Sequence, residues 1–123
     1  EPHILAALKR LVRREGYPIL TATSAAEGME LLATHEVAVV MSDQRMPNMT
    51  GSEFLAKVRV MYPDTIRIIL SGYTDLNAVT EEVNRGEIYK FLEKPWDDAA
   101  LLETLREAFR YYEARRASRT STS

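Results

Sequence analysis

The chain has 123 residues, of which 46% are apolar and 28% charged; its formal net charge is −2 and it contains no cysteine. This is the composition of one ordinary globular domain with room for a single core, not of a disordered chain. It excludes disulfides, thiolate metal sites and cysteine nucleophiles. It also lacks the positive surplus that non-specific nucleic-acid binding needs, a membrane-length apolar run and a signal-peptide pattern.

Glu1-Pro2 sets a proline where the first turn of a helix accepts one, and Ile4, Leu5, Leu8, Leu11 and Val12 recur at helical spacing up to Gly16. Pro18 to Thr23 is short and moderately β-prone. Ser24-Ala25-Ala26-Glu27 has capping-box form and opens a helix carrying Met29, Leu31 and Leu32. Val37 to Ser42 is a continuous apolar run, the pattern of a strand buried on both faces of a parallel sheet. Thr50-Gly51-Ser52-Glu53 offers a second capping box, followed by Phe54, Leu55, Val58 and Met61 on one helical face and a stop at Pro63. Thr65 to Ser71 predicts a strand. Thr74 caps a helix over Asp75 to Arg85 that Gly86 ends, and Glu87 to Leu92 predicts another strand. Asp97 or Asp98 caps a long last helix with Leu101, Leu102, Leu105, Ala108, Phe109 and Tyr112 on its apolar face. The last helix is expected to run on through Arg110 to Arg116, while the tail from Arg115 to Ser123 has no periodicity and reads as linker or disordered end, which sets one domain over residues 1–114.

Strands alternating with helices at this spacing predict an α/β fold with a parallel sheet covered on both faces and right-handed crossovers. In such sheets ligands bind beyond the carboxyl ends of the strands. There the three expected strand ends bring Asp43, Ser71-Gly72 and Lys94-Pro95. Taken singly, each is more often a cap, a turn or a surface loop. Taken together, a carboxylate, a hydroxyl and an ammonium on one rim suit acyl-phosphate chemistry. Carboxylate and phosphate repel by a few kcal/mol at contact, so a cation must offset them: Lys94, with a divalent metal as the usual second. The Ser71 hydroxyl can donate to a phosphoryl oxygen.

The stretches SDQRMPNMTG (Ser42 to Gly51), IILSGYTD (Ile68 to Asp75) and YKFLEKPW (Tyr89 to Trp96) resemble the receiver domain of bacterial two-component response regulators. The resemblance runs from Glu1 to about Glu113. It implies a flavodoxin-like, doubly wound, parallel five-stranded sheet with five helices. It further implies that Asp43 accepts a phosphoryl group from a sensor histidine kinase or phosphotransfer protein. Ser71 and Phe91 then act as the switch pair, Lys94 bridges to the phosphoryl group, and a cis bond precedes Pro95. Mg2+ is the implied cofactor, held by Asp43, the backbone carbonyl of Arg45 and an acidic pair. By the same resemblance the domain is cytoplasmic, is not itself an enzyme and touches neither nucleic acid nor membrane. It precedes a C-terminal effector domain and dimerises through the 84–112 face. DQRMP with SGYTD and GEIYKFLEKPW further resembles a sub-type joined to HD-type phosphodiesterases or to sigma-54 activators of the hydrogenase kind.

The pattern departs from the family at its start. The family's first strand and the acidic pair that ends it stand immediately before the point matched by Glu1-Pro2. The natural polypeptide is therefore expected to carry about ten more residues upstream, one strand and its end. Arg45 and Tyr73, two residues after Asp43 and Ser71, are bulky and are expected to slow hydrolysis of the acyl phosphate. Haloacid-dehalogenase-like phosphatases are disfavoured because they need a second Asp where Arg45 stands, and Arg does no acid–base work near neutral pH. A flavin module is disfavoured because no hydroxyl- and glycine-rich phosphate loop is visible. The remaining alternative is a degenerate receiver that binds partners without being phosphorylated.

Overall fold

The computed structural model describes residues 2–16, 18–22, 24–46, 48–71, 89–93 and 97–121. In chain order these form α1 (Pro2–Arg14), α2 (Ala25–Thr34), β1 (Val39–Asp43), α3 (Gly51–Met61), β2 (Ile66–Ser71), β3 (Lys90–Glu93) and α4 (Asp98–Ser121). The expected helix over Asp75 to Arg85, with Gly72, Tyr73, Lys94 and Pro95, lies outside the described residues.

Local chemistry sets the helix ends. The Ser24 hydroxyl accepts the N–H of Glu27 at 3.1 Å and starts α2. Thr50 and Glu53 form a reciprocal capping box at α3: each side chain accepts the other's backbone N–H, at 3.1 and 2.9 Å. Asp97, not Asp98, caps α4, through Oδ2 on the N–H of Ala100 at 3.0 Å. Each cap satisfies donors that the helix leaves without an internal partner. Past the end of α1, Gly16 sits at φ 84°, the left-handed conformation that glycine takes without steric penalty.

The strands are parallel in the order β1-β2-β3, with Val39 across from Ile66 and Ile68 across from Lys90. Side chains alternate between the two faces of the sheet. Ile66, Ile68, Leu70 and Leu92 meet Leu8 and Val12 of α1 and Leu101, Leu105, Ala108 and Tyr112 of α4. Ile69, with Val40 and Phe91 beside it, meets Ala25 and Leu32 of α2 and Phe54, Leu55 and Val58 of α3. Helices therefore cover both faces, as the doubly wound pattern requires.

Four details differ from the sequence-based expectations. Residues 18–22 carry no strand, because a strand needs a ladder and among the described residues none flanks this segment. The run from Val37 to Met41 is half-buried rather than sealed, because β1 is an edge of the described sheet and only β2 pairs with it. Met61 is 60% exposed at the last turn of α3. Tyr62 packs against that core cluster in its place. The last helix also reaches beyond the expected Arg116, since α4 continues through Ser121.

As far as Arg116 the helix is held by charge and ring contact at the amino ends of the strands. Arg116 pairs with Glu36, just before β1, and lies over the Tyr112 ring at 5.7 Å. Tyr112 donates its hydroxyl to Glu36 at 3.3 Å. Arg115 pairs with Asp64, just before β2, at 3.8 Å. Tyr111 stacks on Tyr89, just before β3, with ring centroids 5.4 Å apart. Burial, with Glu36 adding to it, pushes the Tyr112 hydroxyl above its ordinary range.

Candidate functional site at the strand ends

The register brings the carboxyl ends of the strands level. Asp43, the last residue of β1, lies across from Leu70, and Ser71, the next residue of β2, lies across from Glu93, the last of β3. Neighbouring strands are about 4.8 Å apart, so Asp43 and Ser71 stand on adjacent strands within one rung of each other. The residue after Glu93 is Lys94.

Asp43 is half-buried, between buried Ser42 and buried Gln44. Its carboxylate is oriented locally: Oδ1 accepts the backbone N–H of Arg45 at 3.1 Å. The Arg45 side chain is exposed. The backbone behind Asp43 is tightly enclosed. The Gln44 N–H reaches the Leu70 carbonyl of β2 at 3.0 Å, and the Gly51 N–H donates to the Gln44 carbonyl at 2.9 Å. Gly51 is the first residue of α3, and a Cβ there would run into the carbonyl of Asp43. Only glycine lets α3 start this close to the strand end. The loop between Gln44 and Gly51 also contains Asn48 at φ 72°, a conformation that asparagine tolerates better than most residues.

Among the sequence-predicted residues, Asp43 and Arg45 meet directly. Ser71 is placed by its backbone on the neighbouring strand. Phe91 lies in β3 across from Ile69 and is half-buried against the α2 and α3 side of the core. Sequence reasoning missed Gln44, which is only 9% exposed; its Oε1 accepts both the backbone N–H and the hydroxyl of Ser52 at 2.8 Å. The only signal for it was a polar residue directly after a strand and eight residues before a helix turn. Among the described residues no group of three or more His, Cys, Asp or Glu side chains forms a metal cage.

The sequence model of the response regulator receiver domain matches residues 1–106. The chain belongs to that family. It is a receiver domain, a phosphorylation-controlled signalling domain of two-component response regulators. It is 43% identical over 102 residues to the hydrogenase transcriptional regulatory protein HoxA of Cupriavidus necator, covering 83% of this chain and 21% of that protein. The signal receiver domain of an HD domain-containing protein from Pseudomonas fluorescens Pf-5 superposes with a TM-score of 0.88 at 38% identity, over 95% of this chain and 86% of that one. A response regulator receiver domain protein from Clostridium thermocellum superposes at 0.86 and 28%, over 93% and 91%. These likenesses bear out the doubly wound α/β fold expected from the sequence. The chain spans between a fifth and a quarter of the length of the curated relatives it matches. No helix among the described residues is long and apolar enough to cross a membrane.

Proposed function

We propose that Asp43 is the phosphoacceptor of this receiver domain. The observation that supports this most is a carboxylate on the last rung of β1, half-buried and oriented by the Arg45 N–H, at the rim where Ser71 stands on the adjacent strand. In the reaction a carboxylate oxygen of Asp43 forms a bond to phosphorus as the bond from phosphorus to a kinase histidine nitrogen breaks. The leaving imidazole keeps the electron pair and takes up a proton. A sensor histidine kinase or phosphotransfer protein is the donor.

Both reacting groups are anionic, so the rim must supply positive charge. Lys94, the residue after β3, bridges to the phosphoryl oxygens. The rim's carboxylate and carbonyl oxygens are the hard donors that Mg2+ takes, usually with several waters and few protein ligands. Asp43 and the Arg45 carbonyl would hold it, and bound Mg2+ would neutralise charge on the phosphoryl oxygens. Ser71 turns toward the new phosphoryl group, Phe91 moves further into the core, and the face over residues 84–112 changes for its partners. That face carries the Tyr89–Tyr111 stack and the Lys90–Glu107 pair at 3.5 Å, and it is the proposed homodimer surface. The domain over residues 1–114 is itself no enzyme. It works in the cytoplasm and controls an effector domain that follows it, of the sigma-54-activator or HD type.

The test is intact mass after incubating the protein, in its natural polypeptide, with acetyl phosphate and Mg2+ beside Asp43→Asn. One added phosphoryl group is expected, absent in the variant and with chelator. No adduct on a folded protein would overturn the reading in favour of a phosphate-independent interaction domain.

A further inference from the structure

We propose that Gln44 is a positioning residue for phosphoryl transfer: by tying the loop after Asp43 to the first turn of α3, it fixes the Arg45 N–H against the Asp43 carboxylate. The proposal rests on Asp43 being the phosphoacceptor. The chain of contacts is short. Gln44 is bonded on three sides. Its N–H donates to Leu70 of β2 at 3.0 Å, its carbonyl accepts from Gly51 at 2.9 Å, and its side-chain oxygen accepts from Ser52 twice at 2.8 Å. The last two sides close the base of the loop that begins with Arg45. The peptide that carries the Gln44 carbonyl also carries the Arg45 N–H that holds Asp43 Oδ1 at 3.1 Å.

The side-chain link closes a loop that is largely open to solvent. Arg45, Asn48 and Thr50 are exposed. The loop's ends are held by the backbone bonds of Gln44 and by the Thr50–Glu53 capping box; between them Met46 and Met49 lean on the core, and Met46 Sδ lies 3.6 Å from the Ser42 hydroxyl. A buried amide oxygen with two donors at 2.8 Å is the strong fixed point. Losing it would leave the Ser52 donors seeking water and release the loop base. Displacement of a reacting group by even about 1 Å is enough to cost roughly a hundredfold in rate. The same hydrogen bonds also help to cap α3, so a purely structural role must be separated from a positioning one.

Three variants separate them. Gln44→Ala removes the acceptor, Gln44→Glu keeps it, and Thr50→Ala loosens the same helix end through the capping box without touching Gln44. The measurements are the phosphorylation rate constant at saturating acetyl phosphate and Mg2+, the half-saturating donor concentration, and hydrogen exchange at the Arg45 amide. For Gln44→Ala we expect a rate constant lower by about tenfold or more, little change in half-saturation, and faster Arg45 exchange. Thr50→Ala should match the parent in all three, whereas Gln44→Glu should keep the parental Arg45 exchange while its added negative charge beside Asp43 slows the reaction. Ser52→Ala, which removes one of the two donors, should fall between and serves if Gln44→Ala does not fold. Equal slowing by Thr50→Ala, or parental rate and exchange in Gln44→Ala, would overturn the proposal. A parent that takes no phosphoryl group, yet protects the Arg45 amide, would instead overturn the phosphoacceptor reading, and this proposal with it.

Discussion

Replacing Gly51 by alanine tests how closely α3 is built onto the end of β1. The new Cβ would run into the Asp43 carbonyl oxygen and lie 2.9 Å from its carbonyl carbon and 3.0 Å from Gln44 Cα. All three are backbone atoms on a strand hydrogen-bonded to β2, so no side chain can swing aside. Overpacking of this kind costs about 1–3 kcal/mol. If α3 moves away to relieve it, the Gly51 to Gln44 hydrogen bond lengthens, at about 0.5–1.5 kcal/mol. Alanine returns at most about 1 kcal/mol in helix propensity, and less at a first helical residue than in the interior. The net expectation is a loss of about 1–3 kcal/mol. With a urea slope of about 1–3 kcal/mol per molar, the unfolding midpoint should fall by roughly 1 M. Gly28→Ala is the comparator, since there the nearest atom, at 3.0 Å, is the Cζ of the Phe54 ring, which can shift. It should be nearly neutral. A Gly51→Ala midpoint equal to or above the parent's would refute the argument that the helix start and the strand end share one rigid seat.

Other expectations follow from single residues. Leu55 is fully buried between α3 and the sheet, so Leu55→Ala should cost about 2–5 kcal/mol in urea unfolding. The Thr50 N–H on its carboxylate, with the Thr50 hydroxyl adding to it, holds Glu53 below its ordinary value of 4.5. A depressed carboxylate contributes stability that is present above its unfolded value and lost as pH falls through the folded one. Glu53→Gln should therefore lower the melting temperature at pH 7, with the difference shrinking below about pH 4.5 in a pH series of thermal scans. Arg45→Ala, at an exposed position beside Asp43, should shorten the life of the phosphorylated protein several-fold by mass spectrometry; an unchanged lifetime would remove Arg45 from the tuning role.

What the sequence made legible was what depends on neighbours in sequence. The caps at Ser24, Thr50 and Asp97, the apolar stripe of α4 and the arrival of Asp43 at a strand end were readable because each is a local pattern. Gln44 was not, because its worth lies in Ser52, eight residues on and brought back by a turn. The run of the last helix through Arg116 was legible, but the partners that hold its end were not. Arg115 and Arg116 look like a solvated tail until folding sets them beside Asp64 and Glu36, and Tyr112 meets Glu36 across 76 residues of chain.

The length of α4 has a mechanical meaning. At 24 residues it is about 36 Å long, roughly twice the span of β1 or β2. It begins four residues beyond Lys94, passes under the sheet antiparallel to the strands, and is clamped near the far end by ring stacking and ion pairs to the residues that precede all three strands. A rod gripped near both ends of a plate cannot pivot on it. It can slide along its axis, or turn about it, only as far as those grips yield. Movement at its first turn therefore reaches Arg116 as translation or torque rather than as a swing, and the clamps near residues 111–116 set the resistance it meets.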